Sequence, residues 1–293
     1  MTSPAISITP AAAPSAAAGG NSIGGILLAA GKITPENAER VLRAQKEFGL
    51  RFGEAALRLG LITEADIQQV LARQFDYPYL QAGERRYSER LLAAYQPFSP
   101  QVEKLRAVRS QLMLRWFARG RKALTIVEVG ASDGAAMFTA NLAVVFSQLG
   151  ERTLLVDANL RAPSQLRTFD LDARPGLSDV LAGRADLEAV TRIDSFVSLS
   201  LLGAGTVPPN PLELLSRASF GALNTRLEAD YDIVLYNVAA FELGSDALAV
   251  AARTGGVLVV ARTNETHLAD LQQVVDALAA SGAEVVGAVM VDQ

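Results

Sequence analysis

The stretch from Glu128 to Arg161 has the residue types and spacing of a phosphate-binding site: an apolar strand, a glycine-containing loop, a helix, and a second strand that ends near Asp157. In such a site the N–H groups at the start of the helix hold phosphate, a Lys contacts it, and a Ser or Thr hydroxyl binds Mg²⁺. Here the loop continues as Gly134-Ala135-Ala136, so methyl groups replace the Lys and the hydroxyl. The spacing therefore predicts a nucleotide site whose usual phosphate chemistry is missing.

The elements that could position this loop are alternating apolar strands and helices. Short apolar runs, among them ALTIVEV, RTLLVDA, YDIVLYNV and GGVLVVAR, are separated by helical segments. Such runs indicate a parallel sheet that is covered by helices on both faces. Ligands bind at the carboxyl ends of strands in these sheets, which is where the loop lies. The predicted fold is α/β, a doubly wound and mostly parallel sheet of the P-loop NTPase kind, preceded by a small helical repeat domain.

The helical domain is an internal repeat. Segments that begin at Ile23 and Phe52 each read as a short helix ended by Gly and followed by a second helix. The second helices begin after Thr34 and Thr63, a residue type that caps helix N-termini. Because units this small cannot bury their apolar faces alone, the two copies are predicted to pack on each other. The matching positions are Gly24/Gly53, Leu28/Leu57, Gly31/Gly60, Ile33/Ile62, Thr34/Thr63, Val41/Val70, Leu42/Leu71 and Gln45/Gln74.

Composition divides the chain into four parts. Residues 1–20 are rich in Ala, Pro and Ser, with no Lys or Arg before an apolar core, so they are predicted to form a disordered tail and not a secretory signal. The repeat domain is predicted over residues 21–82. The polar stretch 83–100 is predicted to be a linker with one short helix, and residues 101–293 to form the sheet domain.

The overall composition excludes several function classes. A net charge of −4 offers no basic excess for nucleic acid or an anionic membrane. The sequence has no Cys, which excludes disulfides and thiolate zinc sites, and its single His, His267, leaves almost nothing for a His-based triad. No apolar run approaches the roughly 18–20 residues of a bilayer span. The expected location is cytoplasmic, at the inner membrane only through a partner and without direct insertion.

The sheet domain resembles the bacterial tyrosine kinases of capsule and exopolysaccharide synthesis, which belong with the MinD-like P-loop proteins. The resemblance rests on four segments in the family's order: NLAVVFSQLGERTLLVDANLRAP, RPGLSDVLAG, VPPNPLELL and YDIVLYNV. It implies that Ala135 and Ala136 stand at the positions of the family's Lys and hydroxyl residue. It also implies that Asp157 keeps one carboxylate of an Asp-x-Asp pair. Asn159 and Asn237 replace two acids that help to hold Mg²⁺.

These replacements predict a pseudokinase, which is not an enzyme and has no cofactor, with ATP and Mg²⁺ binding too weak to be useful. Each missing charge-assisted contact is worth about 1.5–3 kcal/mol. Asp157 is then expected to cap a neighbouring turn. The resemblance also implies a C-terminal tyrosine cluster for autophosphorylation, whereas the six tyrosines of this sequence lie elsewhere. The degenerate nucleotide site comprises Gly134, Ala135, Ala136, Asp157, Asn159 and Asn237.

A charged helix ahead of the sheet carries Glu103, Arg106 and Arg109 at three-residue spacing. Such spacing is also typical of a solvated helix face. In the kinases that the domain resembles, a Glu-x-x-Arg-x-x-Arg helix packs against the site of the neighbouring subunit and builds a ring. The resemblance therefore favours an oligomer interface at these three residues.

The repeat domain is similar to the N-terminal domain of type II secretion and type IV pilus ATPases, which in some members binds cyclic di-GMP. The second copy has Arg51, Gly53, Arg58 and Gly60, whereas the first has Ser22 where the matching Arg would stand. Phosphate recognition uses the guanidinium fork. Either weak cyclic di-GMP binding or protein docking is expected, and docking is favoured; ordinary surface arginines are the alternative.

The resulting functional prediction is a catalytically inactive regulatory or scaffold subunit of exopolysaccharide synthesis and chain-length control. Its partner is expected to be a membrane-embedded co-polymerase of the chain-length-determinant kind or an active kinase paralogue, in a homo- or hetero-oligomer. Three alternatives stay open: an ATPase or kinase with an unorthodox site built on Asp157 and Arg161, a cyclic di-GMP receptor, and a MinD-like positioning factor. The last is disfavoured because the amphipathic membrane tail of that class is not seen.

Overall fold

The chain divides into two compact units, Met1–Tyr77 and Pro78–Gln293. The predicted tail lies outside the residues that the computed structural model describes, as do parts of the predicted repeat domain and linker. The described residues are 22–64, 66–67, 70, 80, 86–132 and 134–292.

The first unit is helical in its described part. Its helices are α1 (Ile23–Ala29), α2 (Pro35–Phe48) and α3 (Phe52–Arg58). Thr34 caps α2, because its hydroxyl accepts a hydrogen bond from the N–H of Asn37 at 3.3 Å. The capped helix after the glycine turn therefore forms where the first copy of the repeat predicts it.

The two copies of the repeat share backbone geometry as well as sequence. Gly31 and Gly60 have left-handed φ angles of 65° and 64°, which strain any residue that carries a side chain. Gly24 lies so close to Phe52 of the second copy that an added Cβ would be 3.1 Å from the ring. Apolar residues of both copies form one core, in agreement with the predicted packing. Its buried members are Leu27, Ile33, Ala38, Val41, Ala44, Ala55, Ala56, Ile62 and Val70.

An ion pair between Lys32 and Asp66 joins the two copies of the repeat. The Asp66 carboxylate accepts hydrogen bonds from the Thr63 N–H at 2.9 Å and from its hydroxyl at 2.7 Å, and it lies 2.7 Å from Lys32 Nζ. The Lys32 ammonium, followed by the Thr63 N–H, lowers the pKa of Asp66 from 3.8 to about 2. The ionised form of Asp66 therefore stabilises the contact between the copies.

Asp66→Asn is expected to lower the unfolding free energy of the first unit by about 1 kcal/mol at neutral pH. Because the folded pKa lies below the unfolded one, this stabilisation is present above about pH 4 and is lost as the pH falls through about 2. Urea unfolding followed by the NMR methyl signals of Ile33 and Ile62 measures both effects. Glu64→Gln, which removes the charge of an exposed neighbour, is the control. Equal losses of unfolding free energy in the two variants would contradict the role of Asp66.

The second unit is built on one sheet. Its described strands are β1 (Ala123–Glu128), β2 (Thr153–Ala158), β3 (Thr191–Arg192), β4 (Leu199–Leu202), β5 (Ile233–Val238), β6 (Gly256–Arg262) and β7 (Glu284–Val291). Their order is β3-β4-β2-β5-β1-β6-β7, and all neighbours are parallel except the short β3, which is antiparallel to β4. The three strands β1, β2 and β5 are buried along their whole length, as expected for a sheet covered on both faces. The predicted α/β fold is confirmed.

Helices cover both faces of this sheet. They are α4 (Leu92–Tyr95), α5 (Pro100–Arg115), α6 (Gly134–Ser147), α7 (Gln165–Thr168), α8 (Leu177–Leu181), α9 (Pro211–Leu215), α10 (Ala218–Asp230), α11 (Asp246–Thr254) and α12 (Leu268–Ala280). Helices α4 to α6 contribute to one apolar core and α8 to α12 to the other, and alternate residues of β1 point into each. No helix in the described parts of the chain is both long and apolar enough to cross a bilayer.

The described part of the predicted linker, residues 86–100, packs into the first of these cores. It contains the expected short helix, and Tyr87, Leu91 and Ala93 are buried. The N–H of Ala93 donates to Asn141 Oδ1 on α6 at 2.8 Å. The polar composition of residues 83–100 predicts a linker, whereas the apolar residues between Tyr87 and Tyr95 pack into the core.

Candidate nucleotide-binding site

The start of α6, at the end of the loop from β1, is hydrogen-bonded to an acidic side chain of the same protein, Glu128. Glu128, the last residue of β1, is only 2% exposed. Its Oε2 accepts a hydrogen bond from the N–H of Ala135 at 2.9 Å, and its Oε1 accepts one from the Ser132 hydroxyl. The Ser132 oxygen in turn accepts from the N–H of Gly134 at 3.0 Å. The N–H groups at the start of α6, which could hold a phosphate, are thus bonded to this carboxylate and to the hydroxyl beside it.

A second carboxylate contacts the same loop from the turn that follows the neighbouring strand β5. Glu242 lies in the short helical turn Phe241–Leu243 that follows β5. Its Oε1 accepts from the N–H of Ala131 at 2.8 Å, and the side chain is exposed at the surface. Sequence reasoning missed both Glu128 and Glu242. An acid at the end of the otherwise apolar run LTIVEV was the available signal for Glu128.

Asp157 near the end of β2 links the loop before α7 to the strand β5 through hydrogen bonds. It is 1% exposed, and its Oδ2 accepts from the N–H groups of Ser164 and Gln165 at 2.9 and 3.0 Å, at the start of α7. Its Oδ1 accepts from Asn237 Nδ2 of β5 at 3.1 Å and from the N–H of Asn159 at 3.4 Å. Burial raises the pKa of Asp157, and these donors act in the opposite direction. The geometry agrees with a carboxylate that caps a turn.

The remaining residues of the predicted site lie around the start of α6. Ala135 is buried, and the carbonyl of Ala136 accepts from Gln165 Nε2 at 3.0 Å, which ties α6 to α7. Asn159 closes its own loop, because its Oδ1 accepts from the N–H of Ala162 at 3.1 Å. The structure therefore brings the predicted positions together at the carboxyl ends of β1, β2 and β5.

A cavity of about 630 Å³ opens beside the loop. Its polar side chains include the carboxylates of Glu242, Glu265 and Asp270 and the guanidinium of Arg262, which pairs with Glu265 at 2.6 Å. The volume is within the range of about 300–1,000 Å³ that is typical of small-molecule sites. The excess of carboxylates in this lining disfavours an anionic phosphate, so the phosphate of a bound nucleotide has to lie towards the loop. The lining residues are Val129, Gly130, Ala131, Phe241, Glu242, Arg262, Glu265, Thr266, Asp270, Gln273 and Val274.

Arg106 and Arg109 of the charged helix α5, two of the predicted interface residues, make contacts within this chain. Arg106 pairs with Glu103 at 2.7 Å, and its side chain is 16% exposed. Arg109 donates to the carbonyl oxygen of Val145 on α6 at 2.9 Å. Only Glu103 of the three, with 71% of its side chain exposed, presents a charge openly.

The predicted dinucleotide residues of the first unit have local structural roles. The N–H of Arg51 donates to Glu54 Oε2 at 2.9 Å, and the guanidinium of Arg58 stacks on the ring of Phe48 at 4.3 Å. Gly53 is buried and Gly60 forms the left-handed turn described above. Cyclic di-GMP binding and the likeness of this unit to secretion ATPases remain predictions.

A parallel sheet with a glycine-containing loop between β1 and α6, and a cavity at the carboxyl ends of the strands, defines a protein of the P-loop NTPase-like fold. No family model matches the chain. The tyrosine-protein kinase YwqD of Bacillus subtilis is 30% identical over 205 residues, which are 70% of this chain and 86% of that protein. The tyrosine-protein kinase Wzc of Salmonella typhi is 30% identical over 209 residues, 71% of this chain but only 29% of Wzc. The chain belongs to the bacterial tyrosine-protein kinase family.

Solved structures agree with this assignment. The kinase domain of the Escherichia coli tyrosine kinase ETK superposes with a TM-score of 0.68 and 26% identity, covering 75% of this chain and 86% of that domain. The chimerical protein CapA2B2 superposes with a TM-score of 0.65 and 28% identity, covering 78% and 98%. The cell division ATPase MinD of Pyrococcus furiosus gives a TM-score of 0.50 and 26% identity, covering 58% and 71%.

The comparisons correct two predictions. The expectation that the chain is not an enzyme is wrong for this class, because the relatives are named tyrosine-protein kinases and ETK is represented by its kinase domain. The expectation that ATP and Mg²⁺ have no place among its cofactors conflicts with a fold shared with kinases and an ATPase. Both predictions relied on the replaced side chains of the site, at Ala135, Ala136, Asn159 and Asn237, and on the positions of the tyrosines. The family and the fold that the chain shares with kinases point the other way.

The residues fit Mg²⁺ and the nucleotide phosphates only in part. Asn237 Oδ1 is buried and has no partner among the described residues, but both oxygens of Asp157 already accept N–H groups. Within the described residues, no three His, Cys, Asp or Glu side chains form a group that could hold a metal ion. As the loop stands, Glu128 fills the place of a phosphate, so the fit is incomplete on the phosphate side.

Proposed function

We propose that this chain is a tyrosine-kinase-family subunit of exopolysaccharide synthesis and chain-length control that binds an adenine nucleotide. The observation that carries the proposal is the cavity beside the β1–α6 loop in a chain that belongs to this kinase family. The cavity accepts the uncharged part of the ligand, and the phosphates lie towards the start of α6, where Glu128 and Ser132 now accept hydrogen bonds from the N–H groups. The pathway follows from the resemblance to the tyrosine kinases of capsule and exopolysaccharide synthesis.

The proposed partner is a membrane-embedded co-polymerase of the chain-length-determinant kind, or a second kinase-family chain. The exposed carboxylate of Glu103 and the flank of α5 around it are the surface proposed for this contact. Arg109 takes part only indirectly in the proposal, since its guanidinium holds α5 against α6.

Calorimetry with Mg-ATP and Mg-ADP is the direct test of nucleotide binding. Because the Lys contact is missing, the affinity is expected to be roughly ten- to a hundredfold weaker than in a site that retains the Lys, which places Kd near the upper micromolar range. Gln273→Trp, which puts a bulky ring at the exposed rim of the cavity, is expected to abolish the heat. Gln272→Trp, an exposed neighbour on α12 outside the lining, is the matched control.

The outcomes separate clearly. Binding that is lost in Gln273→Trp and kept in Gln272→Trp supports a nucleotide in this cavity. The absence of heat for both nucleotides at millimolar concentration contradicts the proposed function. Detection of phosphotyrosine after incubation with Mg-ATP, alone and with the co-polymerase, then measures whether the bound nucleotide is used for transfer.

A further inference from the structure

We propose that Glu128 sets the phosphate specificity of the nucleotide site: its carboxylate occupies the phosphate position at the start of α6 and must leave before a nucleotide phosphate can bind. This inference rests on the proposed function.

The carboxylate lies where the phosphate of a ligand would lie. One oxygen accepts from the N–H of Ala135, and the other is bonded to Ser132. A Cβ added to Gly134 would be 3.1 Å from Glu128 Oε1, so the acid lies directly against the glycine of the loop. The space beside Gly134, which a ligand phosphate would need, is therefore filled by the Glu128 carboxylate.

The charge of Glu128 suits this position. Helix α6 has 14 residues, and its first turn, from Gly134 onward, contains no acidic residue. The N-terminal end of a helix favours a negative group, and Glu128 supplies it from the preceding strand. A phosphate at the same N–H groups would meet a like charge at close range.

Burial distinguishes Glu128 from the second acid of the loop. Glu128 is 2% exposed, whereas Glu242 is exposed at the mouth of the cavity. Glu242 can turn into solvent without a change in the core. Glu128 has to exchange its two partners for others, so it is the residue that opposes phosphate binding.

Two consequences for ligand preference follow. A ligand without phosphate, such as adenosine, needs only the cavity and does not compete with Glu128. A ligand with β- and γ-phosphates competes with it directly. Neutralising the carboxylate is therefore expected to strengthen binding of ATP and ADP and to leave adenosine unchanged.

Calorimetry of full-length Glu128→Gln with ATP, ADP and adenosine tests this inference. The amide of Gln retains an acceptor for the Ala135 N–H, so the fold should persist, and Trp116 fluorescence checks it. ATP and ADP affinity is expected to rise at least tenfold, with no change for adenosine. Glu128→Ser is the second variant if the first is poorly folded, and Glu213→Gln, which removes one exposed charge from α9, is the control.

Each outcome has one meaning. A rise for ATP and ADP alone supports the inference. Equal ATP affinity in the wild type and in Glu128→Gln overturns it, while the proposed function stands. Silence with all three ligands in both proteins overturns the proposed function and the inference with it.

Discussion

Asp157→Ala is expected to lower the free energy of unfolding of the second unit by about 3 kcal/mol or more, because it leaves several buried N–H groups without an acceptor. The donors are those of Ser164, Gln165 and Asn237. They come from the loop after β2 and from β5, so the loss extends to two parts of the sheet. The effect on stability is expected even in the absence of any ligand.

Trp116 makes the measurement simple, because it is the single Trp of the sequence and is fully buried in the second unit. Urea unfolding followed by its fluorescence gives the free energy for this unit. Asp172→Ala, the same substitution at an exposed position, is the control and should change the midpoint little. A loss below about 1 kcal/mol in Asp157→Ala would show that the N–H groups find other acceptors.

Gly176→Ala is expected to lower the free energy of unfolding by about 3–5 kcal/mol, because it forces a steric clash at a buried position. A Cβ at this position would lie well inside van der Waals contact with the backbone of Gly203 and Gly205. To relieve this contact the loop before α8 would have to separate from the end of β4. The Leu177 N–H would then lose its 2.7 Å hydrogen bond to the Gly203 carbonyl.

Gly221→Ala is the matched control for this substitution. Gly221 lies within α10, and an added Cβ would have nothing within 4 Å. Because Gly destabilises a helix interior, this variant should gain about 0.5–1 kcal/mol. Thermal unfolding of both variants measures the difference. A Gly176→Ala protein as stable as the wild type would contradict the close approach of the two loops.

Much of the architecture can be predicted from the sequence because it depends on local patterns. The apolar runs predict buried parallel strands, and the glycines of the repeat predict the turns at Gly31 and Gly60. The order of the strands has no such local signal. It is fixed by which strand faces fit together, and it places β5 between β1 and β2.

The site was predictable in its position but not in its contents. The Gly134-Ala135-Ala136 sequence correctly locates the loop at the start of α6. That Glu128 bonds to this loop depends on the direction of one side chain at the end of a strand, which a sequence pattern does not give. The same limit applies to Arg109, whose spacing suggests a surface but whose guanidinium binds a carbonyl of its own chain.

The position of β5 also constrains how the protein is made. Asn237 of β5 binds Asp157 across 80 positions of the sequence, and β5 lies between β1 and β2, which are both made earlier. While the ribosome is still extending the chain beyond β2, the edges of β1 and β2 have no partner in the middle of the sheet. The central sheet can therefore close only after residue 238 has left the exit tunnel, and until then the unpaired edges of β1 and β2 are exposed to association with other chains.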